Sequence, residues 1–289
     1  MNQFTISDIE TLSGIKAQTL RVWEQRYGIL IPKRKKSKHR IYDNNDLKEI
    51  LTIAYLNQSG FKISKIAGMS LEERNRITAI NENQASLYKN YITQFIEASI
   101  SFDEKKFQYI YQTIAPQIGF EKMMLHVYYP LLQQIGTYWM SNQINPAHEH
   151  FISEQISRNI DTEMQILPVV KKGSLTVLYL PEGEHHRLPL LFIKYLMRKN
   201  RKRAVYLGSD TALSVLQNYM QKNKVDKIHI HLITEFFHFQ PVKYIKKLLH
   251  ICKDQEIILS GPVGAYIPIE NPRITKLNSL QALLNYINA

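Results

Sequence analysis

Beyond residue 173 the chain alternates short apolar runs with amphipathic stretches, and that rhythm restricts the fold more than any other feature. Leu175-Thr176-Val177-Leu178-Tyr179-Leu180 is the near-continuous apolar run expected of a strand covered on both faces. Residues 204–208, 227–233, 256–261 and 274–277 read as four more strands. Helical stretches at 187–198, 212–222, 242–252 and 280–287 lie between or after them. Strands that alternate with helices build a parallel sheet clothed on both sides. Such sheets hold ligands beyond the carboxyl ends of their strands, where the strand order reverses. The loops there are 181–189, 208–211, 234–239 and 261–266.

The rest of the chain is of two other kinds. Residues 72–168 are helix-periodic with no strong strand signal. Residues 1–70 hold twelve Lys/Arg against six Asp/Glu, half of the formal charge of +12 in a quarter of the length. Surplus cations attract polyanions, nucleic acid first among them, with an anionic membrane surface as the competing partner. No run of about 18 apolar residues is present to span a bilayer. The opening MNQFTISDIE lacks the basic and apolar regions of a signal peptide. Cys252 is the one cysteine, which rules out an internal disulfide and a soft-metal thiolate cluster and fits the cytoplasm. The segments 1–72, 73–170 and 171–289 are therefore read as three domains.

Inside the basic segment, Ser7 with Glu10 three residues on reads as the capping box of a first helix that Gly14 ends. Residues 16–27 form a second helix with Leu20 and Trp23 turned inward. Helix, glycine-containing turn, helix is a DNA-binding pattern. It sets Lys16, Gln18, Thr19 and Arg21 toward the major groove. Lys33, Arg34, Lys35, Lys36, Lys38 and Arg40 are six of the eight residues from 33 to 40. Lying between short apolar segments, they read as a hairpin wing whose tip meets phosphates. Lys48, Lys62 and Lys65 are read as solvent-facing.

The string Thr19-Leu20-Arg21-Val22-Trp23-Glu24-Gln25-Arg26-Tyr27-Gly28, then Pro32-Lys33-Arg34, Arg40-Ile41-Tyr42 and Asp46-Leu47, resembles the MerR family signature across residues 4–67. The resemblance implies a winged helix-turn-helix on double-stranded operator DNA. It places Arg21 and Tyr27 at phosphates or base edges, adds Arg26 to the DNA-facing set, and gives Arg40 and Tyr42 the anchoring of the wing. Relatives bind pseudo-palindromes as dimers, so a homodimer or homotetramer is expected. RNA polymerase or a regulatory protein stands as a further candidate partner, and no membrane is involved.

A head of this kind, a helical middle and an α/β tail are similar in layout to the cobalamin-binding, light-responsive repressors of carotenoid synthesis. Trp139, nine residues, then Glu149-His150 resembles the motif of that family's helical cap, which covers the upper corrin face. Glu184-His185-His186-Arg187-Leu188-Pro189 resembles the loop whose histidine binds cobalt from below. The resemblance implies a multidomain α and α/β chain, with a helical-bundle cap over a flavodoxin-like (Rossmann-like) parallel sheet. Adenosylcobalamin or a related corrinoid would lie between the two. His186 would be the cobalt ligand, oriented by Glu184 through its other ring nitrogen. Trp139, Glu149, His150, Glu184, His186, His231, Ser260 and Gly261 would line the site. Four positions depart from the pattern. Pro189 replaces a glycine, His231 a serine, Ser260 the first of two glycines, and Met140 the photoreceptors' cobalt-capturing histidine. The motif's small residues leave room for the nucleotide tail of cobalamin, and an imidazole at 231 and a hydroxymethyl at 260 shrink that slot.

Without the resemblance, Trp139 reads as a core aromatic of a bundle and 185–186 as a polar loop tip. His229 and His231 then share one face of a half-buried strand. Two functions stay open: a regulator gated by a corrinoid, or a regulator of the same fold that has lost it and answers a protein partner or another small ligand. The sequence argues against an enzyme. It has no barrel to hold a substrate, and no paired carboxylates, phosphate-cradling glycine loop or Ser-His-Asp arrangement stands out.

Overall fold

The computed structural model describes residues 4–29, 33–34, 40–140, 145–233 and 240–288. The side chains of Lys33, Arg34, Gln58, Glu82, Trp139 and Met140 lie outside that description. The chain forms two compact units, Met1–Thr93 and Gln94–Ala289. Of the three segments read in the sequence, the helical and α/β segments thus share one unit. A single helix, α5 (Leu71–Ile100), runs through the first boundary.

The first unit holds α1 (Ile6–Ser13), α2 (Ala17–Tyr27), the antiparallel pair β1 (Lys33–Arg34) and β2 (Arg40–Ile41), α3 (Asn44–Gln58), α4 (Ile63–Ala67) and the start of α5. The N-cap of α1 is Thr5, not Ser7. Thr5 Oγ1 accepts from the Asp8 amide at 3.3 Å, and Asp8 Oδ2 accepts from the Thr5 amide at 2.8 Å. Glu10 has a different task. Its Oε2 accepts from the Ala17 amide at 3.1 Å, satisfying an orphan donor in the first turn of α2. Gly14, at φ 70°, makes the left-handed turn that separates the two helices.

Ile9, Leu20, Trp23, Tyr42, Ile50, Ile53, Leu56 and Ile66 make the core of this unit. Arg74 fastens α5 to it. The residue is buried, its Nε donates to the Ile66 carbonyl at 3.1 Å, and its Nη1 pairs with Glu49 at 2.7 Å. Arg74→Ala loses both contacts, one of them to a charged partner, so the unit should lose about 2 kcal/mol. A thermal melt of the first unit that matches wild type would contradict this.

The second unit opens with the remainder of α5, α6 (Glu104–Ile118), α7 (Phe120–Met123), a π-turn (Met124–Tyr128), α8 (Tyr129–Met140) and α9 (Pro146–Gln165). Phe95, Phe107 and Tyr128 interlock at its centre, with ring centroids 4.6 and 5.3 Å from Phe95. Asn159 satisfies the buried Tyr128 hydroxyl at 2.7 Å. The strands are β3 (Leu175–Pro181), β4 (Arg203–Thr211), β5 (Lys227–His231), β6 (Glu256–Ser260) and β7 (Ile274–Leu277). The helices are α10 (Leu188–Lys199), α11 (Leu213–Lys222), α12 (Pro241–Ile251), the single turn α13 (Gly261–Gly264) and α14 (Leu280–Asn288). All five strands are parallel, in the order β4-β3-β5-β6-β7. This is the flavodoxin-like order, and it reverses at β3, between β4 and β5.

β3 is buried along its whole length, as its unbroken apolar run requires. Helix α10 buries eight of its twelve residues, on nearly every side. One flank meets the sheet. The other meets the bundle, where Phe120 lies 5.0 Å from Tyr195 and Tyr129 lies 6.1 Å from Phe192. A helix apolar all round must be enclosed, and here bundle and sheet enclose it together.

Candidate functional site

In the first unit, Leu20 and Trp23 hold α2 by its inner side. Lys16, Gln18, Arg21, Gln25 and Arg26 are exposed, and Thr19 and Tyr27 are partly covered. The Arg26 guanidinium stands 5.5 Å from the centre of the Tyr27 ring. The outer side of α2 is therefore polar and cationic. Arg40 Nε pairs with Glu24 Oε2 at 2.7 Å, tying β2 to α2. Tyr42 exchanges two backbone hydrogen bonds with Phe4 and is only 2% exposed. That placement fits the anchoring of the wing. Lys33 and Arg34 lie on β1 with side chains outside the description, and Lys35, Lys36 and Lys38 lie outside the described residues.

The second constellation sits at the strand reversal of the other unit. The loop after β3 carries Glu184 and His186, and both neighbouring strands tether it. Gly183 donates to Asp210 Oδ1 at the end of β4, and the Asp210 amide donates to the Glu184 carbonyl. Glu184 is fully buried. Its Oε2 accepts from the Ile233 amide, just beyond β5, at 3.2 Å. Its Oε1 accepts from the His186 amide at 3.0 Å and lies 2.6 Å from His186 Nδ1. Burial alone would raise the Glu184 carboxyl, but the bonds from His186 and Ile233 outweigh it and hold the pKa below the usual value. The same bond raises His186, with the Glu149 charge adding to it. In the neutral ring Nδ1 keeps its proton toward Glu184 and Nε2 is the acceptor, while the raised pKa favours the cation, in which Nε2 is protonated as well.

Beneath this pair lies a feature the sequence did not foretell. His229 Nε2 and His231 Nδ1 each lie 2.8 Å from Ser260 Oγ. One hydroxyl serves both rings by donating to one and accepting from the other. Burial pushes His229 down to about 3 and His231 to about 4, so both are neutral. Of the half-buried strand face expected for these two, His229 is closed over at 1% exposed while His231 stays partly exposed. Next to Ser260, Gly261 adopts φ 86°, and a Cβ there would stand 2.3 Å from the Leu232 carbonyl oxygen and 3.1 Å from His231 Nε2.

The cap residues are placed less uniformly. Trp139 is in the last turn of α8, its side chain outside the description. Glu149 accepts from the Ser153 hydroxyl at 2.6 Å, and His150 is largely exposed, 3.4 Å from the Glu149 carboxylate. Arg187, which the sequence reading passed over as a site residue, pairs with Glu154 of α9 across a polar cleft of about 490 Å³. Pro189 occupies the first turn of α10, where a missing amide costs nothing.

Residues 4–73 match the family model of the MerR HTH family regulatory protein, and residues 91–162 match that of the B12 binding domain. The chain joins a MerR-type head to a B12-binding domain. It is similar to two proteins of Myxococcus xanthus. HTH-type transcriptional repressor CarA is 22% identical over 89% of this chain and 85% of its own length. HTH-type transcriptional repressor CarH is 22% identical over 71% and 70%. The MerR-type head is 35% identical over 66 residues to HTH-type transcriptional regulator MlrA of Escherichia coli, 23% of this chain and 27% of that one. Among solved structures, the Methanosarcina barkeri monomethylamine corrinoid protein superposes with TM-score 0.48 at 9% identity, over 70% of this chain and 95% of that one.

Proposed function

We propose that this chain is a sequence-specific DNA-binding repressor of transcription, gated by a corrinoid held between the helical cap and the sheet of its second unit. One observation carries the ligand half: the buried Glu184 carboxylate fixes the proton of His186 on Nδ1 and leaves Nε2 free, at the switch point of a parallel sheet. Imidazole oriented by a buried carboxylate suits a borderline metal such as cobalt. His186 would hold the cobalt, and the cap residues Trp139, Glu149 and His150 are proposed to complete the site. A corrinoid held there would supply a cobalt centre open to ligation by His186. Differential affinity for cap arrangements would then bias assembly, homodimer against homotetramer, and with it DNA binding. The domain matches and the similarity to two named repressors support this reading, and those names favour a regulator over an enzyme. Among the described residues no helix is long and apolar enough to cross a membrane, and the proposed place of action is the cytoplasm.

The fit is uneven. The loop side, with Glu184 and a half-exposed His186, suits a corrin ring. The deep side, filled by His229, Ser260 and His231, does not suit a nucleotide tail. That network favours a second reading, a regulator of this fold that no longer takes cobalamin and responds to another ligand or a protein.

The DNA half is tested on α2. Arg21→Ala should cost about 1–3 kcal/mol of operator binding and lower the salt slope by about one. Unchanged gel-shift affinity would place α2 away from DNA. The ligand half is tested by mixing purified protein with a corrinoid and desalting. A coloured protein fraction is expected, and a colourless one leaves the second reading.

A further inference from the structure

We propose that the ligand site selects a corrinoid without its nucleotide tail, of the cobinamide type, and turns cobalamin away. This rests on the corrinoid reading above and narrows it. The tail of cobalamin leaves the ring on its lower face, the side from which His186 would bind. For His186 to take the cobalt, the tail must first vacate that position and then find a berth beneath the loop.

The residues beneath the loop fill that berth. Ser260 Oγ is held between two imidazoles at 2.8 Å each. Both rings are neutral, His229 is buried and His231 partly so, and moving His229 would leave a polar nitrogen without its partner in a dry interior. The small residue that might have yielded space, Gly261, has its open side taken. The Leu232 carbonyl oxygen and His231 Nε2 already stand where even a methyl group would go. That carbonyl is itself fixed, since it accepts from the Val263 amide at 3.1 Å, and Leu232 donates to the Ser260 carbonyl at 3.0 Å. These obstacles are backbone and hydrogen-bonded side chains, not the far ends of flexible ones.

The upper part of the site is different. The His186 side chain is about half exposed while Glu184 behind it is fully buried. The ligand-facing nitrogen is therefore accessible and the space below it is shut, a combination that suits a ring with nothing hanging from its lower face. His186 Nε2 would hold the cobalt after giving any proton it carries to solvent, in place of one cobalt-bound water and with no change of oxidation state.

The test is a titration of the full-length protein, in the dark, with diaquacobinamide and separately with aquacobalamin. Visible absorbance and retention through a desalting column are read for each. Cobinamide should be retained, with a spectral shift that His186→Ala abolishes, and cobalamin should bind at least about tenfold more weakly. In His231→Ser/Ser260→Gly, the ratio of cobalamin to cobinamide affinity should rise about tenfold or more. Retained cobinamide also certifies that the variant is folded, and Ser260→Gly alone should move cobalamin in the same direction. Equally tight, His186-dependent binding of both corrinoids by wild type would overturn the selectivity and leave the corrinoid reading standing. Retention of neither would overturn both.

Discussion

Gly261→Ala should destabilise the second unit by about 3 kcal/mol, a fall in melting temperature of roughly 6–12 °C for a body of this size. Two costs combine. A side chain at φ 86° is strained in its own backbone. The added methyl would also meet the Leu232 carbonyl oxygen at 2.3 Å, and that oxygen is pinned by the Val263 amide. Neither neighbour can retreat without undoing the turn that joins β6 to α13. Chemical denaturation followed by tyrosine absorbance would measure the change. A variant as stable as wild type would mean that β6 and the end of β5 are not packed this closely, and the closed floor of the ligand site would go with it.

Replacing Lys35, Lys36 and Lys38 together with glutamine should reduce the log–log salt slope of operator binding by nearly three and weaken binding about a hundredfold at 0.15 M salt. The argument is one of charge alone. The first 70 residues carry a net +6, and these three lysines are half of it. Each phosphate contact releases about one condensed counterion, an effect that depends on charge and not on base sequence. Affinity for nonspecific DNA should therefore fall in parallel, leaving the specificity ratio nearly unchanged. Fluorescence anisotropy between 50 and 300 mM salt would read both. An unaltered slope would show that the lysines between β1 and β2 do not meet the DNA backbone.

The strands were legible because a parallel sheet under helices demands apolar runs, and the chain supplies five at helix-length intervals. What the sequence hid has a physical reason in each case. Ser7 with Glu10 fits the capping-box spacing, but the box two residues earlier, Thr5 with Asp8, is the one that forms, and Glu10 instead accepts from the Ala17 amide. His229 and His231 alternate with isoleucines, which normally marks a half-exposed strand. Ser260, on the adjacent strand, answers both rings and allows His229 to be buried, and no single-strand pattern could have revealed it. The Glu184–His186 pair was legible as a spacing. Its second bond, to the Ile233 amide, depends on which strand lies next to β3 and was not. Near residue 72 no loop marks the boundary read in the sequence, because α5 starts at Leu71 and runs on for thirty residues.

Helix α10 sets a limit on how this protein can be recombined. Phe192 and Tyr195 lean on Phe120 and Tyr129 of the bundle, while the helix's other side belongs to the sheet. Cutting the chain near residue 170 would bare an aromatic surface on each piece, and both would tend to aggregate. Grafting a foreign sensor in place of the sheet alone would fail for the same reason. The interchangeable part is the whole second unit, exchanged along α5, with the cap and sheet travelling as one cassette.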